Sequence, residues 1–454
     1  MFDIQAEHPE YRKLKQAWPR YRDLYAGGDQ FVRNAGNYLT QRQTEPARVY
    51  QERLERVFYE NYIGSIIDWY AATLFRREPL LSYEGDDPGA RAFFNMFAED
   101  CDRRGSTLSD FYRRQVIEAL VAGKSYIVAD FPRVNDRAPN RAMEDALGIS
   151  RAYLCSYPVE SAVNWERDEN GELEWIVLRT ERQAGEWQTE RRWIRYDRER
   201  FEILSQFEVK GKASGVVAID SGPHGFAAQR RVPVFEFSLG EGMWLMNKAA
   251  SLQLEHFNKS NALAWALTMG LFAMPVVYSE REHKQVVGES YYLQLGPNDR
   301  FGWTEPEGHV FEIALQNIDR LKEEIYRVCY LLSMAGGSLS KNSALTGLSK
   351  QRDYVITQEV LRGFGDKVKD SMNQVLRAIA EARQDALEAR ASGLDEFDIG
   401  DFSDELDDAR KLLELGIESP TLKAEVFKKL AMKFLCDSPQ DLKDRIAQEI
   451  DAKN

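Results

Sequence analysis

Two stretches of this chain, Met243 to Thr268 and Phe311 to Met334, carry residues at alternating steps of three and four. In the first the repeating positions are Ala250, Leu254, Phe257, Asn261 and Ala264; in the second they are Ile318, Leu321, Ile325, Val328 and Leu332. That rhythm predicts helices with a continuous packing seam. About 26 residues at 1.5 Å each make a rod of roughly 40 Å, longer than an ordinary globular helix. A chain with two such rods must dispose of both seams, either against its own core or against neighbouring copies.

The segment between the rods reads as a small β insert. VVY and YYLQL have strand character, and turn residues fall at Gly288 and at Gly296-Pro297-Asn298. After the second rod comes AGGSLSKNSALTGLSKQ, Ala335 to Gln351, rich in Gly, Ser and Asn, which predicts a flexible loop. A third helix is expected from Lys350 to Leu387, with Tyr354, Leu361, Phe364, Val368, Val375 and Ile379 on one face. Gly363 and Gly365 lie inside it and would permit a kink; Gly336 and Gly337 would be hinges of the loop.

The first 80 residues read as helical. Tyr50 to Phe75 places Leu54, Val57, Phe58, Tyr62, Ile66 and Tyr70 on one face, and Pro79 supplies a stop. Another helix is expected after Ser106 or Ser109, ending near Gly123. From Ser125 to Val234 the texture becomes short strands separated by Gly, Asn, Asp and Pro clusters, with a hairpin at Glu190 to Val209 turning at Asp197 to Glu199, and a tight-turn pair at Asn170-Gly171. The expected arrangement is one twisted antiparallel sheet covered on one face by the early helices. The C-terminal part begins with an acidic run from Asp395 to Asp408 and then becomes helical, with Ser419-Pro420 as cap and first-turn proline. The fold class is therefore α+β.

Composition narrows the function. A net charge of −13 excludes a protein that wraps DNA by neutralising its phosphates. The four cysteines, Cys101, Cys155, Cys329 and Cys436, form no CxxC pair, which fits reduced thiols. The N-terminal residues lack an apolar signal core, and the longest apolar run, Ala264 to Val277, is too short to span a bilayer, so neither export nor membrane insertion is expected. The histidines His8, His224, His256, His283 and His309 are scattered without metal-ligand spacing, and neither GxxxxGK[ST] nor GxSxG occurs. No metal, cofactor or catalytic residue is expected.

One set of strings, read in order, is similar to a known family. Trp18, Tyr21, Asp23, Gly27, Tyr38-Leu39, Tyr50, Arg53 and Asn61 lead to Phe75-Arg76-Arg77-Glu78-Pro79. Tyr157-Pro158-Val159-Glu160 precedes Asn164-Trp165, and Val232-Pro233-Val234-Phe235 precedes the first rod. This order resembles the portal proteins of tailed bacteriophages, and the likeness covers most of the chain. It implies a wing of residues 1–242, stem helices 243–269 and 309–334, a clip at 270–308, a tunnel loop at 335–350, a kinked helix 351–391 returning to the wing, and a helical crown 392–454. It further implies a homododecameric ring at one capsid vertex, made in the bacterial cytoplasm and resident in the virion. Double-stranded DNA would be packaged and ejected through it without sequence preference. The terminase large subunit and head–tail connector proteins would dock on it, with the major capsid and scaffolding proteins as further partners.

A channel that lets DNA slide should not grip it, because each phosphate contact strengthens binding. Lys341, Lys350 and Arg352 are the cations in and beside the loop and are the candidates for loose backbone contact; the alternative is ordinary solvated charge. Two other classes stay open at this stage: another virion structural or helical adaptor protein, and a magnesium-dependent nuclease using the acidic segments.

Overall fold

The computed structural model describes residues 3–132, 150–185, 188–209, 211–240, 242–270, 274–278, 300–304, 308–331, 347–395, 402–414 and 419–434, with a few isolated positions besides. The fold is α+β.

Helices α1 (Pro9–Leu14), α2 (Trp18–Ala26), α3 (Gly28–Asn34), α4 (Ala47–Glu55) and α5 (Tyr62–Leu74) open the chain. The single helix expected over Tyr50 to Phe75 is two. Continuous apolar spacing hid the break, since Val57 and Phe58 keep the rhythm while the backbone from Arg56 to Asn61 leaves the helix. Asn61 then restarts it, its Oδ1 accepting the Gly64 N–H at 2.9 Å as an N-cap. Ile63, Ile66, Ile67, Tyr70 and Leu74 follow at steps of three and four, all buried.

After strand β1 (Leu80–Glu84), α6 (Pro88–Glu99) is capped by Asp87 with proline at N1, and α7 (Leu108–Ala122) is capped by Thr107. Gly123 ends α7 at φ +95°, a conformation that an L side chain would strain.

Nine further strands make two antiparallel sheets in place of the expected one. Strands β2 (Ser125–Asp130), β3 (Tyr153–Pro158) and β10 (Val234–Phe237) form a sheet in the order β10-β2-β3. Strands β4 (Ala162–Arg167), β5 (Leu173–Gly185), β6 (Gln188–Asp197), β7 (Arg200–Val209) and β8 (Lys212–Ala213) form the larger sheet in sequence order, with β9 (Val217–Pro223) also paired to β7. A 3-10 turn at Val159–Ser161, directly after Pro158, separates β3 from β4 and splits the sheets. The turns obey local chemistry. Asp168 accepts the N–H groups of Asn170 and Glu172 while Gly171 takes φ +83°, and Asp197 accepts those of Glu199 and Arg200.

Helix α8 (Leu245–Gly270) is followed by β11 (Met274–Tyr278), which pairs with β12 (Arg300–Thr304). The partner of VVY is thus RFGWT; YYLQL lies outside the described residues. Helix α9 (Gly308–Val328) stops six residues before the expected Met334. Tyr330 takes φ +61°, and the end is held by Tyr70, whose hydroxyl donates to the Cys329 carbonyl at 2.7 Å, and by Thr357, which donates to the Tyr330 carbonyl at 2.7 Å.

Helix α10 (Gly347–Arg383) begins inside the expected loop, three residues before its boundary at 350, and ends earlier than expected. Directly after the expected helix, and largely within the 351–391 segment, comes strand β13 (Glu388–Ser392), paired with β1 in a separate ribbon whose strands are some 300 residues apart in sequence. Helices α11 (Phe402–Glu414) and α12 (Pro420–Phe434) complete the described chain, the second capped by the Ser419 hydroxyl at 3.3 Å from Leu422 N.

The core runs from the N-terminal helices through α8 to α10. Helices α2, α5 and α7 pack on one another and on α8, and Phe31 stacks on Tyr59 at 3.9 Å and meets Phe257 of α8 edge-on at 4.9 Å. Cys101 and Cys329 are buried free thiols and Cys155 is a half-buried one. No helix among the described residues is long and apolar enough to cross a membrane.

Candidate functional site

The candidate site is the pair α8 and α9 with the ribbon between them. Lys248 donates to Tyr330 at 2.8 Å and Lys259 to Asn317 at 2.7 Å, so positions rising along α8 meet positions falling along α9 and the helices are antiparallel. The pair differs in character along its length.

Its inner part, as far as Asn261 on α8, is tied to the N-terminal helices by side-chain amides. Asn261 donates to the Phe58 carbonyl at 2.9 Å and accepts the Phe58 N–H at 3.1 Å. Gln253 donates to the Glu60 carbonyl at 2.8 Å and accepts from Ile63 N at 3.3 Å. Asn258 donates to the Tyr38 carbonyl at 3.1 Å and accepts from Thr40 N at 2.8 Å. Each amide supplies one donor and one acceptor, the pair a neighbouring strand would offer, and so satisfies irregular backbone that no sheet reaches. His256 is 1% exposed between them, edge-on to Tyr62 at 5.0 Å and 3.7 Å from the Glu60 carboxylate. Burial pushes its imidazole below the usual value, with Glu60 opposing.

Several N-terminal residues of those ordered strings lie in or beside this anchorage. Trp18 donates its indole N–H to the Ala122 carbonyl at 3.3 Å, and Tyr21 its hydroxyl to Asn247 of α8 at 2.7 Å. Buried Asp23 accepts from Tyr38 at 2.6 Å and from Gln30 and Asn34 at 3.0 Å. Arg53 forms a buried pair with Glu45 at 2.7 Å, and Tyr50 donates to the Leu39 carbonyl at 3.3 Å. Gly27, at φ +59°, leaves room for Asn61, whose Nδ2 would lie 2.7 Å from a Cβ there and donates to the Tyr25 carbonyl at 2.8 Å. Glu160 joins Glu118 in holding Arg22 at 2.8 Å each. The seam residues Ala250, Phe257 and Asn261 are likewise buried within their own chain.

The outer part is open. Leu267 near the end of α8 is 41% exposed, Tyr278 on β11 66%, and Val310, Ile313 and Leu315 at the start of α9 are 61%, 53% and 51% exposed. Isolated exposed apolar residues need no explanation, but here Val310 and Ile313 share one side of α9 and Leu315 lies on the other, so apolar groups are exposed on both flanks of the helix.

Of the basic and glycine positions singled out in the sequence, Lys341, Gly336 and Gly337 lie outside the described residues. Lys350 and Arg352 fall in the first two turns of α10. Helix α10 is assigned without interruption through Gly363 and Gly365, and the two glycines differ. A Cβ at Gly363 meets nothing within 4 Å, whereas one at Gly365 would sit 1.9 Å from the Leu394 carbonyl oxygen. Gly365 thus permits close backbone approach, a reason for glycine that does not require bending. Among the described residues, no group of three or more His, Cys, Asp or Glu side chains could hold a metal ion.

Sequence reasoning missed Gln253, His256 and Asn258. Their signal was present: polar residues recurring with Asn261 on a face of a long helix that is otherwise apolar, where buried amides must find partners.

These features define an α+β chain with a long antiparallel helix pair anchored at one end. No protein-family model matches it, and no curated protein does. Among solved structures it is similar to a chain in the virion of a native gene transfer agent particle, at 11% identity and a TM-score of 0.43, covering 88% of this chain and 95% of that one. It is similar also to chains in the neck of the empty gene transfer agent particle computed with C6 symmetry and in the neck of the native particle computed with C12 symmetry. These are 13% and 12% identical with TM-scores of 0.40 and 0.38; each covers 79% of this chain and 87% or 86% of the other.

Proposed function

We propose that this chain is the portal subunit of a tailed-phage-like particle, assembling into a ring through which double-stranded DNA passes. The observation that carries the reading is the polarised helix pair. One part is bonded into its own chain by amides, while the other presents Val310, Ile313, Leu315 and Leu267 with no cover among the described residues. In a ring each such face meets the next subunit through a heterologous contact that closes on itself.

Under this reading residues 1–242 form the wing, α8 and α9 the stem, the β11–β12 ribbon part of the clip, and the segment leading into α10 the tunnel loop. Lys341, Lys350 and Arg352 would be the cations nearest DNA, and Gly336, Gly337, Gly363 and Gly365 the positions where loop and helix adjust. The ring would be dodecameric in the particle, with terminase and connector proteins docking at the clip, capsid and scaffolding proteins around the wing, and no catalytic role for the subunit.

The test is negative-stain imaging and sedimentation of the purified chain. Closed rings with a central hole are expected, and the Ile313→Glu/Leu315→Glu variant should sediment as a folded monomer, because two charges cannot be buried in an apolar contact. Monomers from the unaltered chain, or rings indifferent to the substitutions, refute the reading. Metal-dependent cleavage of plasmid DNA would favour the nuclease alternative instead.

A further inference from the structure

We propose that the open edge of β10 is a docking groove for a short, extended, acidic peptide of a partner protein, which joins the β10-β2-β3 sheet as a fourth strand. Among the described residues, strand β10 pairs only with β2. The Ala129 N–H donates to the Pro233 carbonyl at 3.0 Å, which marks that opposed pair as hydrogen-bonded. Bonded and non-bonded pairs alternate along an antiparallel ladder, so Phe235 and Phe237 face β2 while Val234 and Glu236 turn their N–H and C=O groups outward. Among the described residues no backbone hydrogen bond reaches those outward groups, although Val234 is only 5% exposed and α10 packs against β10. Buried backbone polar groups are nearly always paired, and an edge of this kind is a template for another strand.

The edge lines a groove of about 490 Å³, whose other walls are the β4–β5 turn and the α10 residues Gln374 and Glu381. That volume lies in the usual range for ligand sites, roughly 300–1,000 Å³. A second feature points to an occupant: the Gln229 Oε1 is buried there with no hydrogen-bond partner, an acceptor awaiting an N–H.

The walls balance Arg167, Arg198, Arg230 and Arg231 against Asp168, Glu172, Glu236 and Glu381, so the chemistry is set by which of these groups are already engaged. Glu236 is engaged by Arg167 at 2.6 Å, and Asp168 by Arg198. Arg230 and Arg231 have ion-pair partners but no side-chain hydrogen bond among the described residues: Arg230 is 3.3 Å from Glu199, and Arg231 is 4.0 Å from the half-exposed Glu381. An incoming carboxylate therefore replaces weak exposed pairs with a bidentate guanidinium contact. Arg231 also lies over the Phe235 ring at 5.4 Å, which places its charge beside the edge strand. Glu172, on the opposite turn, restricts the acidic side chain to the arginine side.

The experiment is fluorescence anisotropy of the full chain with a fluorescein-labelled octapeptide of alternating valine and glutamate. Controls are a valine–lysine peptide, a valine–glutamate peptide N-methylated at alternate amides, and an Arg230→Ala/Arg231→Ala variant. Saturable binding of the unmodified acidic peptide is expected, with at least tenfold loss in the variant and on N-methylation. Absence of binding, equal binding of the lysine peptide, or indifference to either change overturns the proposal. Should the variant misfold, hydrogen exchange on the unaltered chain decides: the Val234 and Glu236 amides slow when the acidic peptide is added, and unchanged exchange overturns it. Self-association that vanishes in a folded variant, without peptide binding, would assign the groove to a second copy and overturn it equally. Ring formation is read separately, so this groove and the channel stand or fall independently.

Discussion

Alanine at Gly365 should destabilise the protein while alanine two residues earlier should not. At 365 the new Cβ would lie 1.9 Å from the Leu394 oxygen and 3.0 Å from its carbonyl carbon, so that backbone must retreat about 1.5 Å to reach ordinary contact at 3.4 Å. The obstacle is backbone, not the end of a flexible side chain. It belongs to a turn in which Gly393 and Leu394 take φ +92° and +57°, and Leu394 is itself buried. Overpacking of this kind costs about 1–3 kcal/mol or more, while glycine to alanine in a helix contributes about 1 kcal/mol the other way. A net loss of about 2 kcal/mol is expected for Gly365→Ala. Gly363 is exposed with open space around it, so Gly363→Ala should gain up to about 1 kcal/mol. Urea unfolding followed by tryptophan fluorescence reads the difference of about 3 kcal/mol between the variants, which is more secure than either absolute value. Equal stability of Gly365→Ala and the unaltered chain would refute the close-approach argument. Equal harm from both substitutions would support bending, because a hinge needs both glycines and a close approach only one.

Asn61→Ala removes the α5 cap and the bond to the Tyr25 carbonyl, and should lower stability by about 1–2 kcal/mol in the same assay. The Glu190 carboxyl is held at about 2 against an ordinary 4.5, chiefly by hydrogen bonding from Arg192, then Ser205 and Arg182, against the opposing effect of burial. A depressed carboxyl pKa contributes stability that is complete above the unfolded value and lost as pH falls through the folded one. Glu190→Gln should therefore unfold at lower urea concentration than the unaltered chain at pH 7, with the gap closing between about pH 4.5 and 2; a gap independent of pH would refute the assignment.

Much of this architecture was legible because it is written in local chemistry. The cap at Ser419, the stop at Gly123, the turns at Asn170-Gly171 and Asp197, and the two long helices each follow from a few adjacent residues, while the α7 cap is Thr107, between the expected Ser106 and Ser109. What escaped was non-local. Glu388–Ser392 lies just after a long helical pattern and becomes a strand only because Leu80–Glu84 comes alongside it. The break between α4 and α5 preserves apolar spacing, so periodicity alone runs through it. The close approach at Gly365 escaped because a sequence shows a glycine's freedom and not its neighbours. The roles of Asp23, Arg53 and Asn61 depend on partners brought near by folding.

The anchorage explains why residues far apart in the sequence act together. A helix of 26 residues that projects beyond its own core gains nothing from burial at its free end, so its direction must be set where it is held. Apolar contacts are non-directional and would let the inner part slide or rotate. Hydrogen bonds from Gln253, Asn258 and Asn261 to particular backbone groups fix both the rotation and the axial position of α8. Those backbone groups are themselves held by Tyr38, Asp23, Asn61 and Tyr50, each bonded to a neighbour in the same layer. A tilt of about 10° at the anchor displaces Leu267, about 9 Å beyond Asn261 at 1.5 Å per residue, by about 1.6 Å. Polar bonding at the inner end and apolar exposure at the outer end are thus two requirements of one rod that must present a surface at a fixed place.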